Sequence, residues 1–178
     1  MALFKSMNLK KLVNCYCIVV LVISLAAMPL YAEETGSVDR SKMGGFSEYS
    51  YDSDQAVALA QLMWAEARGC SKREQSLIAW TVLNRVDACY SGLTDFWSIL
   101  TQPNQFYYWS SCGYEEYEYE IAVDILQRWA AEKDGVEDSG RTLPHGYLYY
   151  YGDGVHNYFS TDGNGSELWF GLGDPYED

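Results

Sequence analysis

Residues 59–70 read LAQLMWAEARGC and residues 71–86 read SKREQSLIAWTVLNRV, and these two segments decide how the chain is expected to fold. On one helical face of the first segment, three apolar side chains are followed by a carboxylate. These positions are Leu59, Leu62, Met63 and Glu66, at the i, i+3, i+4, i+7 spacing of an α-helix. A glutamate on such a face is expected to point to the interior or to the edge of a cleft.

The ends of the two helices carry recognisable signals. Ser53 or Asp54 can cap the first helix, and Gly69 follows its last turn, where a left-handed backbone is favoured. The second helix opens with Ser71 and Glu74 at the spacing of a capping box. The short connection between the helices predicts an αα-hairpin with the carboxylate close to the bend.

Downstream, periodicity and turn residues predict two further helices and a β-hairpin. The helices cover residues 96–101 and 115–133, and the strands cover residues 147–151 and 155–160 on either side of a turn at 152–154. The last helix has a buried stripe of Ile121, Ile125, Leu126 and Trp129. A mainly helical chain with a small antiparallel hairpin predicts an α+β domain.

The amino-terminal segment differs from the rest of the chain. A basic start, an uncharged run over residues 12–31 and a small residue before two acids predict a secretory signal peptide at residues 1–32. An uncleaved membrane anchor is the alternative for this run. Residues 33–52 are polar and rich in Gly and Ser, which predicts a linker, and residues 53–178 form the domain.

The chain is acidic, with a formal net charge of −13. Removal of residues 1–32 would take away Lys5, Lys10 and Lys11 and no acidic residue, which makes the remainder more acidic still. This charge argues against nucleic acid and anionic lipid surfaces as partners. We expect a neutral or cationic partner, or one held through neutral contacts such as sugars on aromatic rings.

Beyond the signal segment the cysteines are Cys70, Cys89 and Cys112. An odd number in an exported protein predicts one disulfide and one free thiol, with Cys89 and Cys112 as the preferred pair. The two histidines, His145 and His156, do not suggest a metal centre, and no cofactor is expected.

Glu66 is the first candidate for chemistry. Apolar neighbours and the negative end of the helix dipole both disfavour an ionised carboxyl group, which suits a general acid. The alternative is a structural glutamate paired with Arg68 or Arg85.

Several motifs in order resemble a known family. They are WAEARG at 64–69, VLNRV at 82–86, Gln105-Phe106, an aromatic strand and HNYF at 156–159. Over roughly residues 55–160 this set is similar to the bacterial cell-wall hydrolases that include spore-cortex-lytic enzymes. The resemblance implies a lysozyme-like fold, cleavage of the peptidoglycan glycan strand beside muramic acid residues, and Glu66 as the catalytic carboxylate.

The number of carboxylates bears on the mechanism. Most glycosidases need two, whereas the motif supplies one. A single glutamate can act as acid and then as base while the sugar's own C6 hydroxyl attacks C1, the lytic transglycosylase outcome. Asp153 or Asp87 as a second carboxylate would favour hydrolysis by water, and a catalytically silent wall-binding protein is a further alternative.

Substrate contacts are expected from four other residues. The candidates are Gln105, Phe106, His156 and Tyr158, the last two on one face of the second strand. Structural roles are the alternative for each, and Asn84 and Arg85 are expected to be structural ties. The predicted protein is a secreted or wall-associated monomer acting on glycan strands without a metal.

Overall fold

The computed structural model of the chain describes residues 43–164 and Tyr176. The predicted signal peptide and residues 33–42 of the predicted linker lie outside the described residues. The elements are α1 (Ser53–Ala67), α2 (Lys72–Asp87), a 3₁₀ turn (Tyr90–Gly92), α3 (Phe96–Leu100), α4 (Glu116–Lys133), β1 (Tyr149–Gly152) and β2 (Asn157–Ser160). Of the helices in this part of the chain, none is long and apolar enough to span a membrane.

The first helix begins where the sequence predicts, but other residues define its ends. The cap is Asp52, whose side chain accepts hydrogen bonds from the backbone N–H groups of Asp54 and Gln55 at 2.8 and 3.2 Å. The prediction for Gly69 is wrong, because this residue is not among the glycines with positive φ. Instead Arg68 ends the helix in a right-handed conformation.

The core lies between α1, α2 and α4. The predicted apolar face of α1 is fully buried, since Leu59, Leu62 and Met63 have no exposed surface. On α4, Ile121, Ile125 and Leu126 are buried as predicted, whereas Trp129, the fourth member of the predicted stripe, is only partly buried. At roughly 25 cal/mol per Å² of buried apolar surface, such side chains are the main source of stability.

Residues 43–52, which the sequence assigns to a linker, pack on α4. The backbone N–H of Gly44 donates to the buried Asp124 at 2.9 Å, and the Phe46 ring lies 5.3 Å from the Arg128 guanidinium. Asp124 also binds Arg128 at 2.6 Å and accepts from the Tyr176 hydroxyl at 2.6 Å. A buried ion pair with these additional partners joins the start of the described chain to α4.

The two strands form an antiparallel hairpin, which confirms the predicted α+β class. Tyr150 pairs with Phe159, and Tyr151 pairs with Tyr158. The turn is longer than predicted and contains Val155 and His156, because the Asp153 carboxylate accepts their backbone N–H groups, each at 2.8 Å. His156 therefore precedes β2.

Two adjacent polar residues of α2 hold the segment that leads into β1. The Asn84 amide donates to the carbonyl groups of Pro144 and Tyr147 at 2.8 and 2.9 Å. Arg85 Nε donates to the carbonyl of Leu148 at 2.7 Å. These contacts fix the position of the hairpin relative to the helices.

Candidate active site

Glu66 lies in the last turn of α1 and is half-buried. The backbone N–H of Tyr107 donates to its Oε1 atom, and the hydroxyl of Tyr150 is near enough to interact with the same carboxylate. Tyr107 belongs to the loop after α3 and Tyr150 to β1. The carboxylate therefore lies where α1, this loop and the hairpin meet.

Neither arginine of the structural alternative is paired with Glu66 among the described residues. The Arg68 guanidinium lies over the Trp64 ring, 5.7 Å from its centroid. Arg85 binds the Leu148 carbonyl and the side-chain oxygen of Gln105, the latter at 3.3 Å. The carboxylate is held by polar neutral groups.

Arg85 organises the loop beside the carboxylate. Besides its bond to Gln105, its guanidinium lies 4.6 Å from the Phe106 ring centroid and 4.7 Å from that of Tyr90. Burial lowers the pKa of Arg85, while the nearby tyrosines oppose that change. Arg85 thus holds Gln105 and Phe106, the two residues that precede Tyr107, and Tyr107 binds Glu66.

Tyr150 is enclosed by rings. Phe106 stacks against it with centroids 6.2 Å apart, and Phe159 lies on it at 5.8 Å. Burial raises the pKa of Tyr150, and the charge of Glu66 and the hydrogen bond to it add to the rise. Its hydroxyl therefore stays protonated and available to donate. In the sequence Tyr150 does not stand out, because it is one of several tyrosines in a run.

The loop that carries Tyr107 is also held from α1. The Gln61 amide donates to the backbone carbonyls of Ser110 and Cys112, both at 3.0 Å. The hydroxyl of Tyr108 approaches the Gln61 oxygen at 3.5 Å. Both Gln61 and Glu66 project from the second half of α1, so one helix fixes the loop at two places.

His156 lies at a second polar cluster, formed around Glu74. The Glu74 side chain is 1% exposed, and its oxygens bind the backbone N–H of Asn157 at 2.7 Å and His156 Nδ1 at 3.2 Å. Ser71 caps the Glu74 N–H at 3.2 Å, as predicted, but the Glu74 carboxylate binds the hairpin instead of completing the capping box. His156 is thus bound to α2 through Glu74.

Tyr158 lies on the other face of the hairpin from Tyr150. Its partner Tyr151 stacks on it with centroids 5.1 Å apart and an interplanar angle of 19°. Its hydroxyl donates to Asp153 at 2.8 Å. The expected shared face of His156 and Tyr158 required a strand over residues 155–160, but β2 begins after His156, which lies in the turn instead.

The two candidate second carboxylates are engaged elsewhere. Hydrogen bonds from the His156 backbone, the Tyr158 hydroxyl and the Val155 backbone lower the pKa of Asp153 to about 2. Asp87 binds the Trp129 indole N–H at 3.0 Å, Lys133 and Arg141. Neither is bonded to Glu66. Within residues 43–164 and Tyr176, no group of three or more His, Cys, Asp or Glu side chains is placed to hold a metal ion.

The preferred disulfide is not formed, since Cys70, Cys89 and Cys112 are all free thiols. Cys70 lies between the helical turn and the hairpin, with its Sγ 3.5 Å from Asn157 Nδ2. Burial and the negative charge of Glu74 raise the pKa of Cys70 to about 12. This thiol is therefore a poor nucleophile at neutral pH.

Comparison with known proteins identifies no relative. No family model matches the chain, and no curated protein or solved structure is significantly similar to it.

Proposed function

We propose that the protein cleaves the glycan strand of peptidoglycan beside muramic acid residues, as a lytic transglycosylase with a lysozyme-like domain. The observation that carries the proposal is the setting of Glu66: a half-buried carboxylate held by Tyr107 and Tyr150 among aromatic side chains. The ordered motifs around Glu66 supply the substrate class.

Glu66 acts twice in this reaction. As an acid it gives its proton to the glycosidic oxygen while the bond from that oxygen to C1 breaks. As a carboxylate it then takes the proton of the C6 hydroxyl as that oxygen bonds to C1. The proton balance closes without water, and the product carries a 1,6-anhydro end. The N–H of Tyr107 and the hydroxyl of Tyr150 keep the Glu66 side chain in one position for both steps.

In the part of the chain that the structure describes, Asp87 and Asp153, the candidates for a second catalytic carboxylate, are held by other groups, which favours this reaction over hydrolysis. A hydrolase needs a second carboxylate within about 5–10 Å to serve as nucleophile or to activate water. Asp153 caps its own turn and Asp87 holds Lys133 and Arg141. Among the described residues, neither of these carboxylates is available to work beside Glu66.

The four predicted contact residues take different parts in the proposal. Gln105 and Phe106 lie beside the Glu66 partner Tyr107, so the Gln105 amide is available to an N-acetyl group or hydroxyl near the cleaved bond, while the Phe106 ring packs below it. His156 and Tyr158 lie at the tip and outer face of the hairpin. We expect them to contact sugars of the glycan strand that lie farther from the cleaved bond.

The proposed place of action is the cell wall, and the proposed partner is the glycan strand alone. The protein is exported through residues 1–32 and works in the wall as a monomer on the glycan strand. Its acidity makes local neutral contacts the main means of holding an anionic wall polymer.

Product analysis tests the reaction. Purified vegetative and spore-cortex peptidoglycan would be digested with the protein, and the released fragments weighed by mass spectrometry. Anhydro ends, lighter by one water than reducing ends, are expected. Reducing ends would identify a muramidase, and retained wall binding without release of fragments would identify a catalytically silent wall-binding protein.

A further inference from the structure

Two aromatic side chains of the loop that binds Glu66 are exposed to solvent. Tyr107 is 66% exposed and Trp109 is 41% exposed, and their rings meet edge to face with centroids 4.8 Å apart at 80°. We call them the Tyr107–Trp109 pair. Because the two rings contact each other, they form one continuous aromatic surface and are not two isolated exposed side chains.

The exposure of this pair follows from an alternation along the loop. Phe106 and Tyr108 pack against the core, whereas Tyr107 and Trp109 do not. In an extended backbone, successive side chains point to opposite sides. Burial of Phe106 and Tyr108 therefore leaves Tyr107 and Trp109 exposed to solvent. The bonds from Gln61 to the loop carbonyls keep this arrangement in place.

The pair is joined to the proposed catalytic carboxylate through the backbone. The backbone N–H of Tyr107 donates to Glu66, so the residue that binds the carboxylate also carries one ring of the pair. A saccharide bound at Glu66 therefore lies close to the backbone from which the Tyr107 ring projects. Contiguous exposed apolar surface, such as these two touching rings form, is a common feature of ligand-binding grooves.

We propose that the Tyr107–Trp109 pair is the platform on which one sugar ring of the glycan strand stacks when the strand is bound at Glu66. The C–H face of a pyranose is apolar and its edge is polar, and Tyr and Trp match both properties. Such contacts need no opposite charge, which suits a chain with net charge −13 on an anionic polymer. This inference rests on the proposed function, because that function supplies the saccharide.

Binding to insoluble peptidoglycan tests the platform separately from cleavage. Sedimentation with purified sacculi would be measured for Tyr107→Ala and Trp109→Ala, each made in a Glu66→Gln background. Tyr107→Ala keeps the backbone N–H at residue 107. Trp97→Ala is the matched control, because Trp97 is also 41% exposed and contacts the neighbouring Phe96 ring. Thermal unfolding would establish that each variant is folded.

Each platform variant is expected to raise the apparent Kd for sacculi by about tenfold, comparable to loss of an aromatic anchor at an interface. The control is expected to bind like the Glu66→Gln parent. Unchanged binding by both platform variants, equal loss in the control, or no binding by the parent would overturn the platform. Cleavage by Glu66→Gln at the wild-type rate would instead overturn the proposed function, and the binding comparison would keep its meaning.

Discussion

The carboxylate of Glu74, on α2, accepts a 2.7 Å hydrogen bond from the backbone N–H of Asn157 at the start of β2. This side chain is 1% exposed and also binds His156. It joins the helical layer to the hairpin that carries Tyr150. The position of the proposed active site thus depends on a glutamate outside it.

Glu74→Ala is expected to lower the free energy of unfolding by about 2–4 kcal/mol, because a buried backbone N–H and His156 lose their acceptor. Urea denaturation measures the change. Glu137→Ala is the control, since Glu137 is exposed in a loop. Equal effects of the two substitutions would show that the contact contributes nothing specific.

The free energy of unfolding is expected to depend on pH through Glu118. Glu118 is fully buried in the first turn of α4, and burial raises its pKa from 4.5 to about 7. Because the folded pKa is raised, its contribution to stability is full below about pH 4.5 and is lost as the pH rises through 7, by at most about 3 kcal/mol.

Glu118→Gln should remove this dependence while keeping an acceptor for the backbone N–H of Glu115, which Glu118 binds at 2.8 Å. We expect the variant to match wild type in urea near pH 4.5 and to exceed it at pH 8. Glu116→Gln, at an exposed position of the same turn, is expected to leave the pH dependence unchanged. A variant that tracks wild type across the range would contradict this account.

Arg85→Lys tests how the loop beside Glu66 is held. Lysine keeps the charge but loses the fork that binds Leu148 and Gln105 and the flat face over Phe106. The backbone amide of Tyr107 is expected to exchange its hydrogen faster, and glycan cleavage to fall about tenfold or more. Arg68→Lys, at an exposed residue, is the control, and unchanged exchange at Tyr107 would contradict the role given to Arg85.

The cysteines offer a chemical check. Alkylation of the native protein followed by peptide mapping is expected to modify the exposed Cys89 fastest, with Cys70 and Cys112 slow until the protein is unfolded. Burial raises the pKa of both slow thiols, that of Cys70 to about 12. Recovery of a disulfide-linked Cys89–Cys112 peptide would contradict the free thiols of the structure and support the disulfide that the sequence predicts.

The helices were predictable because their signals are local. The apolar spacing from Leu59 to Met63 gave the face of α1, and the buried residues of α4 follow the same rule. The errors at the helix ends are equally local in origin. The cap is Asp52, immediately before the predicted Ser53 or Asp54, and Gly69 does not adopt the left-handed backbone predicted for it.

The site was less predictable, since its contacts join residues far apart in the chain. Glu74 matches a capping box, and only the fold reveals that its carboxylate binds residues near 157 instead. Tyr150 became distinct from its neighbours only through the strand register, which turns Tyr151 and Tyr158 to the opposite face. The sequence identified Glu66 from its helical position and motif, but not the two groups that hold it.

The most direct test compares wild type with Glu66→Gln on purified peptidoglycan, with release of glycan fragments measured by mass spectrometry. Glutamine is nearly isosteric and still accepts the N–H of Tyr107, so folding is expected to be preserved, and equal thermal unfolding would establish this. The account predicts anhydro-ended fragments from wild type and a loss of at least about 10²-fold in the variant, the lower end of what a general acid contributes. Equal release by both proteins would contradict the central claim.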